Sequence, residues 1–253
     1  MSCNVYMATD VISALELDKE NIQSRVIVVK EINNCSSSFI TSSVLGHLIK
    51  KKSAVLIIST HNSIKHYQNV GLKMNYNLNR CIDDGLVQFY NLGEEYVDKM
   101  LENDHISLEH IYQNIKDKAE CMRNKYNVVN IIFDGVSHLL DMHYNLKEVN
   151  LICSKVIELI REYNSLLICH CNVANDHDLT HVLANFLSHK AFMVVEVENL
   201  ASGWSSDVSG HMTIKYPGKK FDKEHMYSLD IKPAQYLFKL FDRGVKLLAP
   251  GTV

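Results

Sequence analysis

The stretch RVIVVKEINNCSSSFITSSVLGHLIKK, Arg25 to Lys51, decides how this chain is read. It opens as a short apolar run, passes through polar residues and continues as an amphipathic helix that keeps Ile40, Val44, Leu45 and Leu48. In many α/β proteins a strand–loop–helix of this kind cradles phosphate. Such a cradle needs glycines so that backbone N–H groups can close around the anion. It also needs a lysine for the β- and γ-phosphates and a Ser or Thr for Mg²⁺. The loop Glu31–Ser38 offers hydroxyls but neither glycine nor lysine. No glycine precedes Gly46, no lysine lies between Lys30 and Lys50, and Glu31 repels an anion. The expectation is a helix capped by serines; weak anion attraction at the helix N-terminus is the alternative.

Working outward, six short apolar runs read as buried strands: Arg25–Val29, Ala54–Ser59, Leu86–Tyr90, Asn127–Asp134, Ser165–Asn172 and Ala191–Val197. They are mostly continuous rather than alternating, as in strands covered on both faces. Helical stripes separate them. One holds Leu108, Ile111, Tyr112, Ile115, Ala119 and Met122, with Ser107 as N-cap. Another holds Val149, Ile152, Val156, Leu159, Ile160 and Tyr163. A third holds Leu179, Val182, Leu183, Phe186 and Leu187, after the cap candidates Asp176 and Asp178. Strand–helix alternation predicts an α/β layer structure with right-handed crossovers. After about Gly203, HMTIKY, HMYSLDI and YLFKLF read as antiparallel strands at the far edge of the sheet. One domain over residues 1–253 is expected, with residues 1–20 a loose or docking segment.

Composition narrows the classes. Hydrophobic residues make up 47% of 253, enough for a sizeable core. No apolar run approaches the ~20 residues that span a bilayer, so no membrane partner is expected. Met1–Asn21 lacks a basic region and carries acidic residues, unlike a signal peptide. The seven cysteines form no C-x-x-C pair and several sit in apolar runs, which suits reduced thiols in a cytoplasmic protein. Net charge is −3, so there is no global field to draw in nucleic acid.

Single residues give weaker chemical signals. Asp134 ends the run NVVNIIFD at the place where an acidic residue holds Mg²⁺ in phosphate-loop enzymes. Without a cradle it reads as the end of a strand before Gly135. Asn130, inside the same run, needs a hydrogen-bonding partner if buried. Cys169, His170 and Cys171, with His177 and His181, raise a zinc reading and with it a metal-dependent hydrolase. Alternation along a strand turns His170 away from the two cysteines, and the spacing is not that of structural zinc. No G-x-S-x-G elbow is present. Neither catalytic nor metal-binding residues, nor a cofactor, are therefore assigned. Trp204, the sole tryptophan, lies in LASGWSSDVSG among small residues, as a subunit-contact anchor would; a tryptophan under its own loop is the alternative. Lys219 and Lys220, beside Pro217–Gly218, form a basic turn that suits RNA phosphates; Asp222 and Glu224 dilute it toward a plain solvated turn.

Two longer stretches carry a family likeness: HYQNVGLKMNYNLNR, His66 to Arg80, and LSHKAFMVVEVENLASGWSSDVSGHMTI, Leu187 to Ile214. With their patterns HY-x-x-VG-x-K and LASG-x-x-x-DV-x-G, and the closing strands through LLAPGTV, they resemble the Elongator complex protein 6 family. The resemblance runs from about Val26 to the C-terminus. It implies a RecA-like, mostly parallel sheet flanked by helices, with C-terminal antiparallel strands and a degenerate nucleotide site. It also implies a hetero-hexameric ring with the fourth and fifth Elongator subunits, joined to the core subunits. That ring binds tRNA and supports wobble-uridine modification. The location implied is cytoplasmic, with the nucleus as a second compartment. The rival within the same fold, an active nucleotide-hydrolysing enzyme, needs the glycine and lysine missing here.

Overall fold

The continuous apolar runs become strands whose alternate residues feed two separate cores. Val26 and Val28 face one layer, and Ile27 and Val29 face the other. The structure, a computed structural model, describes residues 10–19, 24–175, 177–200, 203, 205, 207–217 and 233–248. The strands are β1 (Val26–Ile32), β2 (Ala54–Ser59), β3 (Val87–Asn91), β4 (Val129–Asp134), β5 (Leu167–Val173), β6 (Met193–Glu198), β7 (Gly210–Lys215), β8 (Ala234–Phe241) and β9 (Gly244–Leu248). The helices are α1 (Val11–Ala14), α2 (Ser38–Lys50), α3 (Ile64–Lys73), α4 (Leu78–Asp83), α5 (Leu92–Leu101), α6 (Leu108–Arg123), α7 (Leu146–Tyr163) and α8 (Leu179–Lys190).

Among the described residues the strands join one nine-stranded sheet in the order β3-β2-β4-β5-β1-β6-β7-β8-β9. Pairings from β3 to β6 are parallel, and those from β6 to β9 are antiparallel. This is the RecA-like arrangement: a mostly parallel sheet between helices, closed by antiparallel strands. One strand, β5, separates β1, which leads into the loop, from β4, which ends at Asp134.

One core layer packs α6, α7 and α8 against the sheet; the other holds α1 to α4 and residues of β7 to β9. Fully burying a Leu or Ile side chain such as Leu45 or Ile57 contributes about 1.5–3 kcal/mol. Helix starts are set locally. The Ser107 hydroxyl accepts from His110 N at 3.1 Å. Asn145 and Glu148 close a capping box on α7, which ends at left-handed Asn164. Asp178 caps α8 through Thr180 N, while Asp176 lies outside the described residues.

Three expectations change. Lys30, Glu31 and Ile32 extend β1, so Glu31 belongs to the strand and not to the loop. On α8, Leu179 and Val182 are exposed, and Leu183, Ala184 and Leu187 make the buried face. Helices α3, α4 and α5 lie where no periodicity pointed to them. HMYSLDI lies outside the described residues. The expected loose or docking segment is partly described: Val11, Leu15 and Leu17 are buried, and the Leu17 carbonyl meets His47 Nε2 at 3.1 Å. Among the described residues, no helix is long and apolar enough to cross a membrane.

Candidate functional site

The C-terminal ends of β1, β4 and β2 converge where a RecA-like sheet would meet a nucleotide. The loop after β1 turns sharply because Asn33 and Asn34 both take left-handed conformations, φ 52° and 58°. That turn brings Glu31 back over the start of α2. Its Oε1 accepts from Ser37 N at 2.6 Å and from the Ser37 hydroxyl at 2.7 Å. Ser37 is fully buried and is the N-cap residue, yet its side chain makes no cap bond to the helix. The expected serine cap is present one residue earlier, where Ser36 Oγ accepts from Ser38 N at 3.3 Å, and Glu31 adds a carboxylate from the preceding strand at Ser37's own N–H.

His170, on β5, stands behind this loop and is 1% exposed. Its Nδ1 lies 2.6 Å from Ser37 Oγ, and its Nε2 lies 2.9 Å from Thr41 Oγ1 on α2. A serine so close to a histidine suggests a nucleophile and its base. Here the serine is inaccessible and its proton points to Glu31, so the pair is structural. Cys35, in the same loop, is no nucleophile either. Burial first, then Glu31 and Glu198, push its thiol up to about 11. Lys30 points to the opposite layer, where Nζ donates to Asn185 Oδ1 at 2.9 Å; burial lowers its pKa despite Glu196 nearby.

Asp134 is 8% exposed at the tip of β4. Its Oδ2 accepts from the Tyr67 hydroxyl and from Asn62 Nδ2, the latter at 3.1 Å. Tyr67 also reaches Ser59 Oγ at 3.3 Å. Burial alone would raise the Asp134 pKa; His170, the Tyr67 hydroxyl, His61 and Asn62 together outweigh it and hold the carboxyl below its ordinary value. Burial and Asp134 push the Tyr67 hydroxyl up, so it stays a donor. Beside this group, Thr60 Oγ1 donates to the Gly135 carbonyl at 2.9 Å and lies 3.0 Å from His138 Nδ1. Gly135 has φ +86°, and a Cβ there would lie 2.2 Å from Thr60 Oγ1.

Of the residues singled out in the sequence, Asp134 is here and His170 joins it from β5. Asn130 finds its partners at Ser53 Oγ, Ala54 O and Leu166 N. Cys169 and Cys171 face the other layer with Cys153, all buried, their thiols raised mainly by burial. Exposed His177 and half-buried His181 belong to the segment leading into α8 and to that helix. Among the described residues no three His, Cys, Asp or Glu side chains are grouped to hold a metal. Trp204, Lys219 and Lys220 lie outside the described residues. Ser37 lay within the loop singled out in the sequence; sequence reasoning did not find Tyr67, Asn62 or Thr41 as parts of this edge. The signal available for Tyr67 was its place in HY-x-x-VG-x-K.

The family model for Elongation complex protein 6 matches residues 9–237. The chain belongs to this family. Elongator complex protein 6 of Drosophila melanogaster is 24% identical, over 98% of both chains. The Danio rerio protein of that name is 18% identical over 95% of this chain and 96% of its own. The Homo sapiens protein is 22% identical over 85% and 86%. The family-like stretches have physical roles in this member. His66–Arg80 supplies Tyr67 to Asp134, and its Gly71 lies against the Tyr76 ring, where a Cβ would sit 2.7 Å from Cε2. Gly210, closing the second pattern, lets Glu198 O approach to 2.5 Å from where a Cβ would be.

Proposed function

We propose that this chain is a non-catalytic subunit of the Elongator complex, built with the fourth and fifth subunits into a hetero-hexameric RecA-like ring. The ring supports tRNA binding and wobble-uridine modification carried out by other subunits. Family membership supports the complex. The observation that carries the non-catalytic part is the engagement of Glu31 and Asp134. Both carboxylates at the sheet edge are satisfied by groups of this chain, Ser37 for one and Tyr67 with Asn62 for the other. An enzyme would need the first absent and the second open to a cation. Trp204 is proposed as a subunit anchor, and Lys219 and Lys220 as phosphate contacts within the assembly.

Co-expression with the fourth- and fifth-subunit relatives, followed by mass measurement of the intact particle, tests the ring. A six-chain species containing this protein is expected, and a stable monomer beside a complete partner complex overturns it. Calorimetry with ATP and Mg²⁺ on the lone chain tests the loss of catalysis. No saturable binding below millimolar is expected. A micromolar site abolished by Asp134→Ala would refute it.

A further inference from the structure

The loop after β1 poses a physical question that the absence of a phosphate cradle leaves open. A helix start in a sharp loop presents unsatisfied N–H groups and a partial positive charge. In a phosphate-binding loop the ligand satisfies them. We propose that Glu31 is a resident stand-in for that anion, and that through Ser37 it fixes His170 with its proton on Nδ1.

The proton count carries the second half. The Glu31 carboxylate only accepts, so the contacts at 2.6 and 2.7 Å require both Ser37 N–H and Ser37 O–H to donate to it. A hydroxyl has one proton. Having given it to Glu31, Ser37 Oγ can only accept at its 2.6 Å contact with His170. Nδ1 must then carry a proton. In the neutral ring Nε2 accepts from Thr41, 2.9 Å away. The order of donation is therefore Thr41 to His170, His170 to Ser37, Ser37 to Glu31. This chain ties β1, β5 and the first turn of α2 together; Ser37, Thr41 and His170 are buried, and Glu31 is half-buried. Glu31 reaches its seat because two successive left-handed asparagines fold the loop over within six residues.

Glu31 is thus a positioning residue. It holds the loop shape that a phosphate would otherwise hold, and it leaves no seat for one. The proposal stands whether or not the ring forms, because each of its contacts lies within one chain.

The test uses the full-length chain and three readouts. In the unsubstituted protein, ¹⁵N NMR of the histidines should find His170 protonated at Nδ1. A ring protonated at Nε2 alone overturns the proposal. Glu31→Ala should lower Tm by about 5–10 °C, as expected for losing charge-assisted hydrogen bonds in a chain of this size. Sodium formate or inorganic phosphate should then raise that Tm above its value in sodium chloride of equal ionic strength. Neither should do so for the parent. A Glu31→Ala protein as stable as the parent, or an equal anion response in both, overturns the stand-in role. Should Glu31→Ala fail to fold, Glu31→Gln keeps the test open. Its amide oxygen still accepts and fills the seat, so a smaller fall with no formate response is expected, and a formate response like that expected of Glu31→Ala counts against the proposal.

Discussion

The Tyr67 hydroxyl, on α3, is hydrogen-bonded to Oδ2 of Asp134 at the tip of β4. A phenol thereby sits on the carboxylate that an active RecA-like site would give to a metal ion. The bond also joins a helix of one layer to the centre of the sheet.

Tyr67→Phe removes this donor and leaves a buried carboxylate with Asn62 as its remaining side-chain donor. Losing a hydrogen bond to a charged group costs about 1.5–3 kcal/mol. Urea unfolding should show that loss at neutral pH. The pH dependence has a definite sign. The folded Asp134 pKa is depressed, so its contribution is fully present above the ordinary carboxylate value and is lost as pH falls through the folded value. Without Tyr67 the folded value rises, and the acid-unfolding midpoint should move to higher pH. An unchanged acid midpoint would assign the depression to His170, His61 and Asn62 without Tyr67.

Much of the sheet could be read in the sequence, and physics explains which parts. β2, β4 and β5 are covered on both faces along almost their whole length, so their runs are mostly apolar. Helix α3 buries only Tyr67 and Gly71, and α5 only Leu92, so neither shows an apolar stripe. At the site, the orientation of His170 followed from alternation along β5. Its partners did not, because Ser37 and Thr41 are 133 and 129 residues away in sequence. Glu31 was legible as hostile to an external anion. Its own use as the cap was not, since that depends on the backbone of Asn33 and Asn34.

Trp204 is proposed to anchor a subunit contact, being the only tryptophan and lying inside a family-like stretch. Truncating a large aromatic anchor often costs ~2 kcal/mol or more. Trp204→Ala should therefore weaken ring assembly roughly thirtyfold, since ~1.4 kcal/mol is a factor of ten. Its fluorescence should be red-shifted in the lone chain and blue-shifted on assembly. Blue emission in the lone chain, unchanged on mixing, would place the residue in its own core, and the mutation would then lower Tm instead.

Lys219 and Lys220 are proposed to meet tRNA phosphates only within the assembly, because a net charge of −3 gives the lone chain no long-range attraction. Replacing both with alanine should reduce the salt dependence of tRNA affinity by up to about 2 units of slope. Unchanged affinity and slope in the intact ring would make them solvating residues.

Gly71→Ala should destabilise the fold. A Cβ at this position would sit 2.7 Å from Cε2 of Tyr76, and the Tyr76 carbonyl lies 3.1 Å away on the same side. Overpacking of this kind costs typically 1–3 kcal/mol. The denaturant midpoint should fall with an unchanged m-value, and Tyr76→Leu, which removes the ring, should recover part of the loss in Gly71→Ala. No recovery would mean that the backbone carbonyl, not the ring, is the obstacle.

The same ring has a mechanical consequence. Tyr76 is 7% exposed and lies against two bare glycines, Gly71 of α3 on one side and Gly46 of α2 on the other, with 3.1 Å to a Cβ placed at Gly46. The edge-to-edge width of one aromatic ring therefore gauges the gap between the helix that carries Ser37's loop and the helix that carries Tyr67. Neither can slide without pressing the other. A displacement of α2 would press on α3 as well and, through Tyr67, on Asp134. The edge where two sites would have worked separately in an enzyme is packed here as one block.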